Sequence, residues 1–102
     1  MMETISAKEL DRYVQDRSVL IVDLRPAEDY NRAHIRGAIN VPNGMFLSEW
    51  KGYRGTVVLY CERGALSMAV ARDLEKQGYR TKTVVGGIRA YRGKYLEIGS
   101  DD

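Results

Sequence analysis

Two kinds of apolar pattern divide this chain. Val19-Leu20-Ile21-Val22 and Thr56-Val57-Val58-Leu59-Tyr60 are continuous apolar runs without alternation, the pattern of strands buried on both faces of a parallel sheet. Between and around them, apolar residues recur at helical spacing: Ala7, Leu10, Tyr13 and Val14 in one stretch, Leu66, Ala69, Val70 and Leu74 in another. Thr4-Ile5 suggests a short first strand, and Ser6-Ala7-Lys8-Glu9 reads as a capping box, with Ser6 capping and Glu9 reaching back. Pro26 is placed to begin a helix at the position that tolerates a missing N–H, with Glu28 and Asp29 in its first turn. Ala38-Ile39-Asn40 predicts a short strand, and residues 45–50 a short helix flanked by Gly44 and Gly52. Gly78 is placed to end the helix that contains Leu74, and Thr81-Lys82-Thr83-Val84-Val85 is the last clear strand. Gly86-Gly87 then leads into a final helical stretch, on which Tyr91 and Tyr95 would pack onto the sheet.

The predicted order is β-α-β-α-β-(α)-β-α-β-α. Strands separated by helices imply right-handed crossovers and a mostly parallel α/β sheet with helices on both faces. In such a sheet the C-terminal strand ends share one edge, where ligands bind. Asp23-Leu24-Arg25, residues 61–66 and Gly86-Gly87 would converge there.

Size and composition narrow the classes. The chain has 102 residues, enough for one domain with a real core, and we treat residues 1–102 as a single domain. No apolar run approaches the ~20 residues of a membrane span, and the first residues lack the basic and apolar segments of a signal peptide. A net charge of +2 is too small to argue for nucleic acid, so neither nucleic acid nor membrane is an expected partner. One Cys and one His cannot build a structural zinc site, and no phosphate-binding or dinucleotide fingerprint is present. The lone cysteine suits a reducing compartment, which points to the cytoplasm. Gly99-Ser100-Asp101-Asp102 reads as a frayed tail.

Cys61 carries the candidate chemistry. In Tyr60-Cys61-Glu62-Arg63-Gly64-Ala65-Leu66-Ser67 it ends a buried strand and opens a helix. Successive backbone N–H groups there can curl around one point, and together with the helix dipole they favour a thiolate. An ionised cysteine is nucleophilic without a partnered base, and Gly64 lets the loop turn. The same residue read blandly is a small buried hydrophobe, as most lone cysteines are.

Further landmarks decide between these. Val22-Asp23-Leu24-Arg25, Glu28-Asp29-Tyr30 and His34-Ile35-Arg36-Gly37-Ala38-Ile39-Asn40-Val41-Pro42 resemble the N-terminal signature of the rhodanese-like (thiosulfate sulfurtransferase-like) family. Tyr60-Cys61 with its glycine-containing loop and Gly86-Gly87-Ile88 match the family's other landmarks, in order, over about residues 4–96. The resemblance implies a five-stranded, mainly parallel sheet flanked by helices. It implies a sulfurtransferase in which Cys61 takes a sulfane sulfur from thiosulfate or a persulfide, carries it as a persulfide, and passes it to a thiol or cyanide-type acceptor. The backbone N–H groups of Glu62, Arg63, Gly64, Ala65, Leu66 and Ser67 would stabilise the transferred group, without metal or organic cofactor. A protein sulfur donor or acceptor is a further expected partner. Two other readings keep the fold: a non-enzymatic interaction or regulatory module, and a redox sensor built on Cys61.

The loop also departs from the family pattern. Members active on thiosulfate often carry a basic residue directly after the cysteine and a polar or basic one at the fifth position; here these are Glu62 and Leu66. A carboxylate beside the sulfur repels dianionic thiosulfate, although Arg63 restores one positive charge. Weak thiosulfate turnover is therefore expected, with a persulfide or a partner protein as the better donor. The related phosphatase loop needs an arginine six positions after the cysteine to clamp phosphate, and position 67 is Ser67.

Among the remaining polar residues, Asp23 reads as a turn or cap residue near the site. Arg25 is a candidate for attracting substrate. His34 reads as structural rather than as a base for Cys61, Arg89 and Arg92 as a solvated helix face in preference to part of the rim over the cysteine loop, and Phe46 and Trp50 as core or wall residues.

Overall fold

The computed structural model describes residues 2–44 and 53–99. The expected helix at residues 45–50, with Phe46 and Trp50, lies outside them. The described elements are β1 (Glu3–Ile5), α1 (Leu10–Val14), β2 (Val19–Asp23), α2 (Ala27–Arg32), β3 (Ala33–Ile35), β4 (Ile39–Asn40), β5 (Thr56–Tyr60), α3 (Ala65–Lys76), β6 (Arg80–Val84) and β7 (Leu96–Ile98). Two 3-10 turns, Pro42–Gly44 and Gly87–Ala90, complete the set.

The main sheet has five strands in the order β1-β6-β5-β2-β4, and every pairing within it is parallel. The two continuous apolar runs become its centre. β2 and β5 pair in register from Val19 opposite Thr56 to Asp23 opposite Tyr60. Period-two alternation then divides each run between two cores. Val57, Leu59 and Cys61 join Val22 and Leu24 against Ala71 and Leu74 of α3. Val58 and Tyr60 join Ile21 on the opposite face with Leu10 of α1, Ile35 and the half-buried Tyr30 of α2. The α/β class with helices on both faces is thus realised, because neither face of the central strands is left to water.

Local signals account for the helix ends. The two bonds of the Ser6–Glu9 box form, the Ser6 N–H donating to Glu9 Oε1 at 2.8 Å and the Glu9 N–H to Ser6 Oγ at 3.0 Å, but the residue that caps α1 is Glu9 and not Ser6. The box closes a tight turn before α1 and satisfies two donors that would otherwise lack partners. Helix α3 ends in a Schellman arrangement, with the N–H of Gly78 bonded to the Glu75 carbonyl and that of Tyr79 to the Leu74 carbonyl, both at 3.0 Å. Pro26 stands one position earlier than expected, immediately before Ala27, in an extended conformation with ψ 151°.

Several expectations are corrected. The final helix shrinks to the single 3-10 turn Gly87–Ala90, because Gly86 and Gly87 use positive φ to reverse the chain and Tyr91 is already extended. Tyr91 and Tyr95 therefore meet outside any helix: the Tyr95 N–H donates to Tyr91 Oη at 2.9 Å, and that hydroxyl donates to Asp11 Oδ1 at 2.6 Å. The chain end forms β7, which pairs antiparallel with β3 from Ala33 opposite Ile98 to Ile35 opposite Leu96. Gly99 is held as well, its N–H 2.9 Å from the Arg32 carbonyl, so the tail is anchored up to that residue. Val85 falls just beyond β6 and Ala38 just before β4.

The Tyr91 contact has a consequence in alkali. Burial first, and the Asp11 carboxylate second, push the Tyr91 phenol up to about 12 from 10.0. The folded state then holds a proton that the unfolded chain releases near pH 10. The stabilisation is complete below about pH 10 and is lost as pH rises toward about 12. Denaturant midpoints measured from pH 9 to 12 should fall in the wild-type protein and fall less in Tyr91→Phe. Equal slopes would show that this phenol does not couple to folding. Tyr60, buried beside Asp23, is also raised, so part of the slope survives in that variant.

Candidate active site

The strand ends gather three loops on one edge. The Leu24 N–H donates to the Tyr60 carbonyl at 2.9 Å, which ties the end of β2 to the end of β5. Asn40 Nδ2 donates to the carbonyls of Asp23 at 3.0 Å and Arg25 at 2.8 Å, bringing in the end of β4. From the other side, the Ile88 N–H donates to the Cys61 carbonyl at 2.9 Å and the Arg89 N–H to the Glu62 carbonyl at 3.2 Å. The predicted convergence of residues 23–25, 61–66 and 86–87 is present.

Cys61 lies at the floor of this edge with 5% of its surface exposed. It continues the alternation of Val57 and Leu59, so its side chain belongs to the core on the α3 side. Its Sγ accepts the N–H of Gly64 at 3.1 Å and that of Ser67 at 3.4 Å. Of the six loop amides expected around the sulfur, these two reach it. Ser67 is fully buried, and its Oγ donates to the Gly64 carbonyl at 3.1 Å, so the hydroxyl braces the loop from within. Glu62, Arg63, Ala65 and Leu66 point their side chains outward, with Leu66 38% exposed.

Two glycines make this curl feasible. Gly64 adopts φ +109° immediately before α3, turning the chain so that its own N–H faces back onto the sulfur. Gly87 forms the opposite wall. A Cβ there would lie 2.5 Å from the carbonyl oxygens of both Cys61 and Glu62, so only glycine permits the approach of the two loops.

Arg25 is held differently from a free substrate-attracting group. Its Nε donates to Asp23 Oδ1 at 3.0 Å, and its Nη2 to Asp23 Oδ2 at 2.7 Å and to the Ala33 carbonyl at 2.6 Å. Both residues are buried, and the guanidinium carbon sits 5.8 Å from the centre of the Tyr60 ring. Asp23 also accepts the Arg25 backbone N–H at 2.9 Å, the turn-holding role expected of it. The remaining nitrogen of Arg25, Nη1, lies 3.8 Å from Glu62 Oε1. Glu62 Oε2 in turn accepts from Arg89 Nε at 3.1 Å. Arg89 is thus exposed and at the same time part of the rim over the cysteine loop, the less favoured of its two expected places. Sequence reasoning missed the contact, although opposite charges in two loops predicted to converge were its visible signal.

The other candidates are occupied elsewhere. His34 stacks on Tyr30 with ring centres 3.9 Å apart, and its Nδ1 lies 2.8 Å from the Tyr30 carbonyl. Arg92 Nη1 donates to the carbonyls of Arg89 at 2.8 Å and Tyr91 at 2.9 Å, closing the 3-10 turn. Arg63 is exposed and makes no ion pair among the described residues. The described residues contain no helix long and apolar enough to cross a membrane.

The arrangement can do one thing well. Two N–H donors aimed at a single buried sulfur stabilise negative charge on it, in place before any reaction begins.

Comparison with known proteins supports the same fold and family. A family model described as Rhodanese-like domain matches residues 6–94. The chain is 34% identical over 82 residues to the putative sulfur carrier protein YrkF of Bacillus subtilis, covering 78% of this chain and 44% of that protein. The chain thus spans less than half the length of that relative. It is 28% identical over 98 residues to the thiosulfate sulfurtransferase GlpE of Coxiella burnetii, covering 93% of this chain and 92% of that protein. The crystal structure of a rhodanese-like domain protein from Staphylococcus aureus superimposes with a TM-score of 0.81 at 27% identity, covering 97% of this chain and all of that one.

Proposed function

This chain belongs to the rhodanese-like domain family, and we propose from that premise that it is a sulfurtransferase whose nucleophile and sulfur carrier is Cys61. The observation that carries the reading is the pair of N–H donors from Gly64 and Ser67 to the Cys61 sulfur at 3.1 and 3.4 Å. The names of relatives support it at the level of sulfur transfer, one being called a sulfur carrier and another a thiosulfate sulfurtransferase.

In the proposed reaction the Cys61 thiolate attacks the outer, sulfane sulfur of thiosulfate or of a persulfide. A bond forms between Sγ and that sulfur, and the donor's sulfur–sulfur bond breaks. The electron pair leaves on sulfite or on the donor thiolate. The Cys61 persulfide then gives up its outer sulfur to an attacking acceptor, a thiol or cyanide, and the electron pair returns to Sγ. No net oxidant enters, and no metal or organic cofactor takes part. The loop amides hold the anionic persulfide while it waits, and the buried site limits attack by water. A reducing compartment such as the cytoplasm suits a lone thiol that must stay free.

Intact-mass measurement after incubation with thiosulfate, and separately with cysteine persulfide, tests this reading. A gain of one sulfur atom that a reductant removes is the expected result. No gain from either donor, with the protein folded, would instead make the domain an interaction module. Oxygen adducts alone would make it a redox sensor.

A further inference from the structure

Glu62 stands between two guanidinium groups drawn from different loops. Its Oε2 takes a hydrogen bond from Arg89 Nε at 3.1 Å, and its Oε1 lies 3.8 Å from Arg25 Nη1. The backbone fixes it as firmly as the side chain does, since the Glu62 carbonyl accepts the Arg89 N–H at 3.2 Å and Gly87 packs directly beneath. The carboxylate is half exposed and directly follows the residue that bears the nucleophilic sulfur. Arg25 is further neutralised by Asp23, whose carboxylate is fully buried. Summed over these groups, two cations meet two anions. With these four groups cancelling, the exposed Arg63 leaves the site mouth about one net positive charge, where the same arginines unmasked would present a strong anion-attracting field.

We propose that Glu62 is the specificity-determining residue of this site. It masks Arg25 and Arg89, so that the sulfur donor is an alkyl persulfide carrying at most about one net negative charge locally, and dianionic thiosulfate is disfavoured. The proposal rests on Cys61 being a sulfur carrier and concerns which donor loads it. In the loading step the Cys61 thiolate bonds to the terminal sulfur of R–S–S⁻, and the donor's sulfur–sulfur bond breaks. R–S⁻ departs with the electron pair and takes a proton from water. Nothing is oxidised or reduced overall. Simple repulsion by Glu62 is one part of the effect. The other is that each guanidinium faces a carboxylate, with which the sulfonate end of thiosulfate must compete.

Single-turnover loading rates, read by quenched intact-mass spectrometry, separate the two donors. The quantity compared is the ratio of the thiosulfate rate to the cysteine persulfide rate at low ionic strength. Glu62→Gln should raise that ratio on the order of five- to tenfold, because one negative charge is removed beside a dianion and Arg89 is released. Arg89→Gln alone should lower the ratio several-fold, since it leaves Glu62 with less compensation. Glu62→Gln combined with Arg89→Gln should bring it back to within about twofold of the wild-type value. The gain in Glu62→Gln should shrink as salt is raised toward about 1 M, which a purely structural disturbance would not do. A third donor arm, a persulfide on a cysteine-containing peptide, identifies a protein-borne source if it loads faster than free cysteine persulfide and a small-molecule source if slower. An unchanged ratio in Glu62→Gln, or a wild-type protein that loads equally fast from thiosulfate, overturns the specificity assignment and leaves Cys61 as a carrier. Failure of the wild-type protein to load from any donor overturns both.

Discussion

Cys61→Ser should load no sulfur from any donor, a loss of at least about a thousandfold, while the domain stays folded. Serine preserves the shape of the site almost entirely. Its oxygen occupies the position that accepts the N–H groups of Gly64 and Ser67, now at 3.1 and 3.4 Å from Sγ, and an oxygen acceptor suits those donors as well as sulfur does. The substituted side chain is nearly buried, so some packing is lost with the larger sulfur, an effect on the order of 1 kcal/mol. Chemistry is a different matter. A serine hydroxyl at neutral pH is not ionised, and the chain's one histidine, His34, is engaged with Tyr30 rather than placed to activate it. The measurements are intact mass after donor exposure and a thermal melt. A folded Cys61→Ser protein that still gains a reducible sulfur would place the carrier elsewhere, and with a single cysteine in the chain there is no second thiol to take the role.

The parts of this molecule that could be read from sequence are those fixed by local physics. The runs ending in Val22 and Tyr60 had no polar alternation, which only a strand covered on both faces tolerates, and both sit at the sheet centre. The Ser6–Glu9 box is a four-residue interaction and formed as its residue types require. The cysteine loop was legible because a strand end, a glycine and a helix start fall within a few residues. What stayed hidden depends on distant partners. β3 and β7 are three residues each and join segments about 60 positions apart, and Ile98 is 73% exposed, so no hydrophobic period marks that strand. The last helix was overestimated because Tyr91 and Tyr95 have helical spacing, yet two consecutive glycines at positive φ and the Tyr91–Asp11 bond gave the segment a different route. Glu62 and Arg89 lie 27 positions apart, and only the packing of Gly87 against the Cys61 loop brings them together.

On the other side of the Cys61 loop stands the buried Asp23–Arg25 pair, and Asp23→Ala should be the most destabilising single change at this edge, by about 3–5 kcal/mol. Asp23 has no exposed surface, and four hydrogen bonds converge on its Oδ atoms, from Arg25 Nε to Oδ1 and Oδ2 at 3.0 and 3.2 Å, from Arg25 Nη2 at 2.7 Å and from the Arg25 backbone N–H at 2.9 Å. Removing the carboxylate leaves a buried guanidinium facing the Tyr60 ring, with the Ala33 carbonyl at 2.6 Å and the half-exposed Glu62 at 3.8 Å as its remaining polar neighbours. The cost is chiefly that of the stranded cation rather than the lost attraction. It follows that Asp23→Leu combined with Arg25→Met, which removes both charges and keeps apolar volume, should be less destabilised than Asp23→Ala alone. Chemical denaturation of the two variants beside the wild-type protein measures the difference. In thermal melts the single variant should fall by roughly 15–25 °C for a domain of this size. A loss below about 1 kcal/mol would mean that water or Glu62 satisfies Arg25 once Asp23 is gone. In that case Glu62 would be drawn away from Arg89, and the ratio of thiosulfate to persulfide loading would rise in Asp23→Ala even though the fold survived. The same carboxylate that braces the core thus also sets how much of Glu62 is left to guard the sulfur.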